Sequence, residues 1–124
     1  MTTYLFITDP DAYRPERVDE ISDSTWSCAK STSPGDSAFV YLTGGRGIAY
    51  EWLVLSPATP DPAWTWVCRV KLVRKIEPSI AVAELRATIS RELWGAPYTN
   101  FRGMRSIRIP DDAVQVIRQL RPTT

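Results

Sequence analysis

The segment Ser37-Ala38-Phe39-Val40-Tyr41-Leu42-Thr43-Gly44-Gly45-Arg46-Gly47-Ile48-Ala49-Tyr50-Glu51-Trp52-Leu53-Val54-Leu55-Ser56 holds two strand-length apolar runs, 37–43 and 48–56, joined by a glycine-rich turn. β-Branched and aromatic residues in runs this short favour strands over helices. Glycines between them supply the positive φ that tight turns need, so the segment predicts a β-hairpin. The same glycines do not form a phosphate loop. That motif needs a glycine, four residues and then Gly-Lys-Ser/Thr ahead of a helix, whereas these lie between strands.

Working outward, Ser31-Thr32-Ser33-Pro34-Gly35-Asp36 is a turn leading into the hairpin, and Thr3 to Thr8 is a short strand stopped by Asp9-Pro10-Asp11. Arg17 to Ile21 reads as a short helix or turn. Downstream, Pro57 to Pro62 carries three prolines and reads as a loop, and Trp64 to Ile76 as a strand with a bend, ended by Glu77-Pro78. Ser79 is placed as an N-cap, with Val82, Leu85, Ile89 and Leu93 on one helix face and Gly95 and Pro97 ending it. Tyr98 to Arg105 is irregular, Ser106 to Ile109 is a strand, and Pro110-Asp111-Asp112 opens a last helix with the face Val114, Ile117 and Leu120. Five or six strands with helices between and around them imply an α+β fold, a small mixed-strand barrel with flanking helices.

The chain has 124 residues, 44% of them hydrophobic and 23% charged, which is the size and composition of one domain, 1–124. It has no histidine. Ser-His-Asp and Cys-His catalysis and the histidine-bearing metal sites are therefore excluded within it. Cys28 and Cys68 are too few for a four-thiolate zinc site, permit one disulfide without implying it, and suit a reduced cytoplasmic protein. Neither a signal peptide nor a membrane span is expected. No pair of carboxylates is set apart for acid–base work, so no catalytic residue, metal or cofactor is expected. The net charge of +1 conceals an asymmetry: residues 1–68 hold four Lys/Arg against nine Asp/Glu, and residues 69–124 eleven against five. A basic half permits phosphate binding without requiring it.

Five tryptophans stand out. Trp52, in mid-strand, and Trp94, beside Leu93, are placed in the core. Trp26 and Trp64 fall at strand margins in Ser/Thr/Pro-rich segments. Two indoles so placed can sandwich a flat ring, and a methylated base adds apolar area that such a cage accepts.

Tyr4-Leu5-Phe6-Ile7-Thr8-Asp9-Pro10-Asp11-Ala12-Tyr13 resembles the opening of the EVE family. The later landmarks of that family follow in order: Trp26, Pro34-Gly35-Asp36 before Phe39-Val40-Tyr41, Gly47-Ile48-Ala49, Gly103, and Ser106-Ile107-Arg108-Ile109-Pro110 before a closing helix. EVE domains belong with YTH domains to the PUA-like superfamily, and two segments also look like YTH. Trp26-Ser27 is similar to the Trp-Ser pair of the methyl-adenine cage, and Trp66-Val67-Cys68-Arg69 to a structural strand, which places Trp66 in the core and points to Trp64 as a second cage residue.

The resemblance implies a PUA-like barrel that reads a modified base, flipped out or single-stranded, in DNA or RNA. On that reading Trp26 and Trp64 cage the base, Ser27 and Asn100 hydrogen-bond its edge, and Tyr41 lines the floor. Lys30, Arg102 and Arg105 then hold phosphates. The chain departs from the longer EVE pattern at Ser27-Cys28-Ala29-Lys30 and at Tyr41-Leu42-Thr43, where EVE strands continue Tyr-His-Ser. These departures look nearer to modules attached to modification-dependent restriction enzymes, which implies an effector such as a nuclease as partner. Two other classes stand beside this one: a small-molecule or nucleotide-acting enzyme of the ASCH type, and a protein-interaction module.

Overall fold

A computed structural model describes residues 1–8, 24–101 and 105–122. The stop at Asp9-Pro10-Asp11, the helix expected over 17–21, Arg102 and Gly103 lie outside the described residues.

The hairpin forms as expected. Strand β3 (Ser37–Leu42) pairs antiparallel with β4 (Gly47–Val54). Gly47 sits at φ +92° with the Ile80 carbonyl so close that a Cβ would lie 2.1 Å from its oxygen, so only glycine lets these backbones meet. β1 (Thr3–Thr8) pairs parallel with β3 on one side and antiparallel with β7 (Ser106–Arg108) on the other. The long β6 (Thr65–Ile80) runs beside β4 and also pairs with two short strands, β2 (Ser24–Ser27) and β5 (Thr59–Asp61). The described residues thus form one mixed sheet in the order β2-β6-β4-β3-β1-β7, with β5 on β6. Register shifts in the β3–β4 and β4–β6 ladders, with the extra residues in β4 and β6, accompany its curling into a half-barrel.

Alternation along each strand sorts side chains onto two faces. On one, Leu5, Phe39, Ile48, Ile76, Ile80 and Ile109 are buried beneath helices α1 (Val82–Thr88) and α2 (Asp111–Leu120), which contribute Leu85, Ala113, Val114 and Ile117. The other, concave face encloses Tyr4, Phe6, Val40, Leu42, Trp52, Cys68, Val70 and Leu72. Charged side chains fasten the helical layer. Glu51 is buried between Arg74 Nε at 2.8 Å and Arg118 Nη1 at 2.9 Å, and Arg74 Nη1 also donates to the Arg121 carbonyl at 2.7 Å. The Arg121 guanidinium in turn grips both carboxylate oxygens of Glu84 at 2.8 Å, which holds the Glu84 carboxyl below the usual glutamate range.

Several elements differ from the sequence expectation. β6 does not stop at Glu77-Pro78. Two residues of β4, Ile48 and Tyr50, face Ile80 and Lys75 of β6, so Pro78 falls in a bulge where no ladder donor is needed. Ser79 is consequently in the strand rather than an N-cap, and its hydroxyl donates to the Arg46 carbonyl at 2.6 Å. The helix is capped at Ala81 instead, without a side-chain hydrogen bond, and ends at Thr88, whose hydroxyl bonds back to the Glu84 carbonyl. Ile89 is already extended, yet its side chain stays buried. Leu93 lies beyond the helix, and Ala96–Thr99 forms a 3-10 turn that overlaps the start of the stretch expected to be irregular, Tyr98 to Arg105. The proline loop contains β5, because Pro60 can occupy a strand that needs no donor at that position. Trp52 and Trp94 are buried, but Trp66 is only half-buried, with Lys30 Nζ 5.4 Å from its ring centroid. Cys28 and Cys68 are buried free thiols. Among the described residues no helix is long and apolar enough to cross a membrane.

Candidate functional site

The N-terminal end of β6 is flanked by β2 and β5, since Val67 is in register with Ser27 on one and Thr59 on the other. There the half-barrel opens into a concavity of about 620 Å³ lined by Ile7, Thr8, Thr25, Trp26, Ser27, Asp61, Trp64, Val67 and Arg105. That volume is in the range of roughly 300–1,000 Å³ found for small-ligand pockets.

The two indoles at this concavity are held differently. Trp26 stands opposite Cys68 in the β2–β6 ladder, half-buried, and packs edge-on against the fully buried Trp52 at 5.2 Å between centroids. It is an anchored wall. Trp64 is 60% exposed. Its position comes from the backbone: Asp61 Oδ1 accepts from the Ala63 N–H at 2.8 Å and the Trp64 N–H at 3.1 Å, and Pro62 follows Asp61 as the residue that pre-sets such a turn. The next N–H, that of Trp66, donates to the Trp64 carbonyl at 2.8 Å across Thr65, which has φ +71°. This is a γ-turn of the rarely populated hand, on a β-branched residue. Arg105, exposed at the rim, is fixed through its main chain, where its carbonyl accepts from the Ile7 N–H at 2.8 Å.

Trp26, Ser27, Trp64 and Arg105 are therefore brought together by β2, the β5–β6 turn and the approach to β7. The other sequence candidates sit elsewhere. Tyr41 packs on Phe101 at 4.7 Å and lines, with Asn100, Gly44 and Gly45, a separate depression. Burial pushes the Tyr41 hydroxyl above its ordinary range, against the opposing field of Arg86. Asn100 adopts the left-handed conformation and accepts from the Arg86 guanidinium through Oδ1. Lys30 lies on Trp66, outside the lining, and Arg102 is outside the described residues.

Sequence reasoning overlooked Asp61. It stands among three prolines in a segment read as plain loop, and the Asp-Pro-Ala-Trp spacing was the available signal, since Asp before Pro is a turn starter that would orient Trp64. It also overlooked Arg69 and Lys71, which alternate with the buried Cys68, Val70 and Leu72 and so share a face of β6 with the pocket residue Val67, before a bulge at Val73 shifts the alternation. Among the described residues no group of His, Cys, Asp or Glu is placed to hold a metal ion.

No protein-family model matches this sequence, and no curated protein matches it. Solved structures do. A protein from Pseudomonas syringae is similar at a TM-score of 0.80 with 14% identity, over 95% of this chain and 98% of that one. The DUF55 domain of human thymocyte nuclear protein 1 is similar at 0.72 with 14% identity, over 99% and 100%. Human THYN1 protein in complex with 5-methylcytosine-containing DNA is similar at 0.71 with 16% identity, over 100% and 99%. At these identities the likeness concerns the fold alone, an α+β half-barrel of the kind that the resemblance to EVE domains implied.

Proposed function

We propose that residues 1–124 act as one binding module for a modified, methylated nucleobase in DNA or RNA, with no chemistry of its own. The observation that carries this reading is the 620 Å³ concavity walled by an anchored indole, Trp26, and an exposed one, Trp64, with Arg105 at its rim. A base inserted between the two rings gains stacking of about 1–3 kcal/mol per aromatic contact. Apolar neighbours Ile7 and Val67 suit an added methyl group, and the hydroxyls of Thr8, Thr25 and Ser27 can pair with a base edge. Human THYN1, which shares the fold, is bound to 5-methylcytosine-containing DNA, and this supports the same ligand class here.

Phosphates on either side of the flipped base would meet Arg105, Lys30 and Arg102, and then Arg69 and Lys71. Arg69 and Lys71, two residues apart on one strand face, stand about 7 Å from each other, close to the spacing of phosphates along a single strand. Tyr41 and Asn100 support the barrel beside the site rather than touching the base. The resemblance to restriction-associated modules favours a nuclease or RNA-processing effector as partner, and a cytoplasmic setting fits both buried thiols.

Intrinsic fluorescence reads binding directly, because two of the five tryptophans are at the site. Titration with single-stranded oligonucleotides carrying one methylated cytosine or adenine is expected to quench emission, with affinity falling as salt rises. Unchanged emission with every modified oligonucleotide at low salt would refute the reading.

A further inference from the structure

Resting on the reading just given, we infer that Asp61 sets the polarity of the base edge the pocket accepts, so that the ligand is a base with an exocyclic amino group: a 4-aminopyrimidine or a 6-aminopurine. Most polar groups lining the concavity carry no such preference. The hydroxyls of Thr8, Thr25 and Ser27 rotate to donate or accept as the ligand requires. The Trp26 and Trp64 indole N–H groups only donate, and two further lining side chains have a fixed sense. Arg105 can only donate, and it stands at the rim. Asp61, as a carboxylate, can only accept.

The two oxygens of Asp61 have different tasks. Oδ1 is committed to the Ala63 and Trp64 N–H groups and holds the turn that carries Trp64. Oδ2 has no protein partner among the described residues, although Asp61 is half-buried in the lining. An acceptor left unpaired in a partly desolvated site selects a ligand that donates to it, and repels one that presents a carbonyl oxygen there. Cytosine and adenine present an N–H₂ group at C4 or C6, whereas thymine, uracil and hypoxanthine present an oxygen. The same residue thus fixes one wall of the cage and reads the base between the walls.

The isosteric pairs 5-methylcytosine/thymine and adenine/hypoxanthine isolate this effect, since within each pair shape is shared and the edge differs. Oligonucleotides identical except for that base are titrated against the protein and its Asp61→Asn variant. Asparagine keeps an Oδ1 for the two turn N–H groups and replaces Oδ2 by an N–H₂ donor, so the turn persists while the polarity reverses. The expected result is a preference of about tenfold or more for the amino-bearing member of at least one pair, lost or inverted in Asp61→Asn. The wild-type preference needs no variant, so an unstable Asp61→Asn would still leave one decisive measurement. Equal affinity within both pairs, a preference for the oxo member, or a preference unchanged in Asp61→Asn overturns the assignment while leaving the base-reading function intact. Absence of binding to every oligonucleotide overturns both.

Discussion

The two faces of the sheet are built on opposite principles. The helical face is sealed: Leu5, Ile48, Ile76 and Ile80, with Phe39 of β3, meet Leu85, Ile89 and Ile117, and the Glu51, Arg74 and Arg118 group fastens α2 across β4 and β6. The concave face packs Tyr4, Phe6 and Trp52 among valines and leucines, and its last ring, Trp26, lies between the buried Trp52 and an open cavity. Leucine and isoleucine close a core without leaving polar or stacking surface. An indole can be half core and half platform, because one of its edges satisfies packing while a face remains open. The division teaches that stability and recognition are assigned to different sides of one sheet, and substitutions can separate them.

The largest effect is expected at the sealed face. Leu85→Ala should destabilise the protein by about 2–5 kcal/mol through a cavity, read from the urea midpoint, with oligonucleotide affinity unchanged at temperatures where the variant is folded. A parallel loss of affinity would mean that the two faces are not separable. Trp26→Ala should lose most binding and about 1–2 kcal/mol of stability, from the aromatic contact with Trp52 and the half-buried area. Trp64→Ala sharpens the comparison further. Affinity should fall by about 1–3 kcal/mol in isothermal titration while stability stays within about 0.5 kcal/mol, since this indole is mostly exposed.

The smallest effect concerns pH. The carboxyl of Glu84 is held below its ordinary value of 4.5 by Arg121, so its ion pair adds stability at neutral pH that is lost as pH falls below that value. With Glu84 partly exposed the contribution is about 0.2–1 kcal/mol. Glu84→Gln should therefore lie slightly below wild type at pH 7 and converge with it under acid, as followed by thermal melts at both pH values.

Much of the sheet was legible because alternation and glycine turns are local signals: the 37–56 hairpin, β1 and β7 follow from them. The faults lie where tertiary pairing overrides local chemistry. Pro78 looks like a strand terminator, yet a bulge absorbs it, and Ser79 then spends its hydroxyl on the Arg46 carbonyl instead of a helix. β2 and β5 are four and three residues long and exist because β6 lies between them, a relation no short segment can report. Trp66 looked like core, but alternation turned it partly outward, beneath Lys30. At the site, strand margins singled out Trp26 and Trp64, which do line one concavity. Tyr41 and Asn100 had no such handle, because which depression a side chain lines depends on how the sheet curls. Asp61 was hidden by its proline neighbours.

The paired buried thiols behind Trp26 have a consequence for kinetics. Burial and the hydrogen bond with Cys28 push the Cys68 thiol far above the ordinary range, so almost none of it is the reactive thiolate in the closed protein. Cys68 stands opposite Trp26 across the β2–β6 ladder and is buried, so a reagent reaches it only when the packing around it opens. The rate of thiol modification is therefore a clock for how often the packing around Cys68 opens, and a bound base, if it steadies Trp26, is expected to slow that clock.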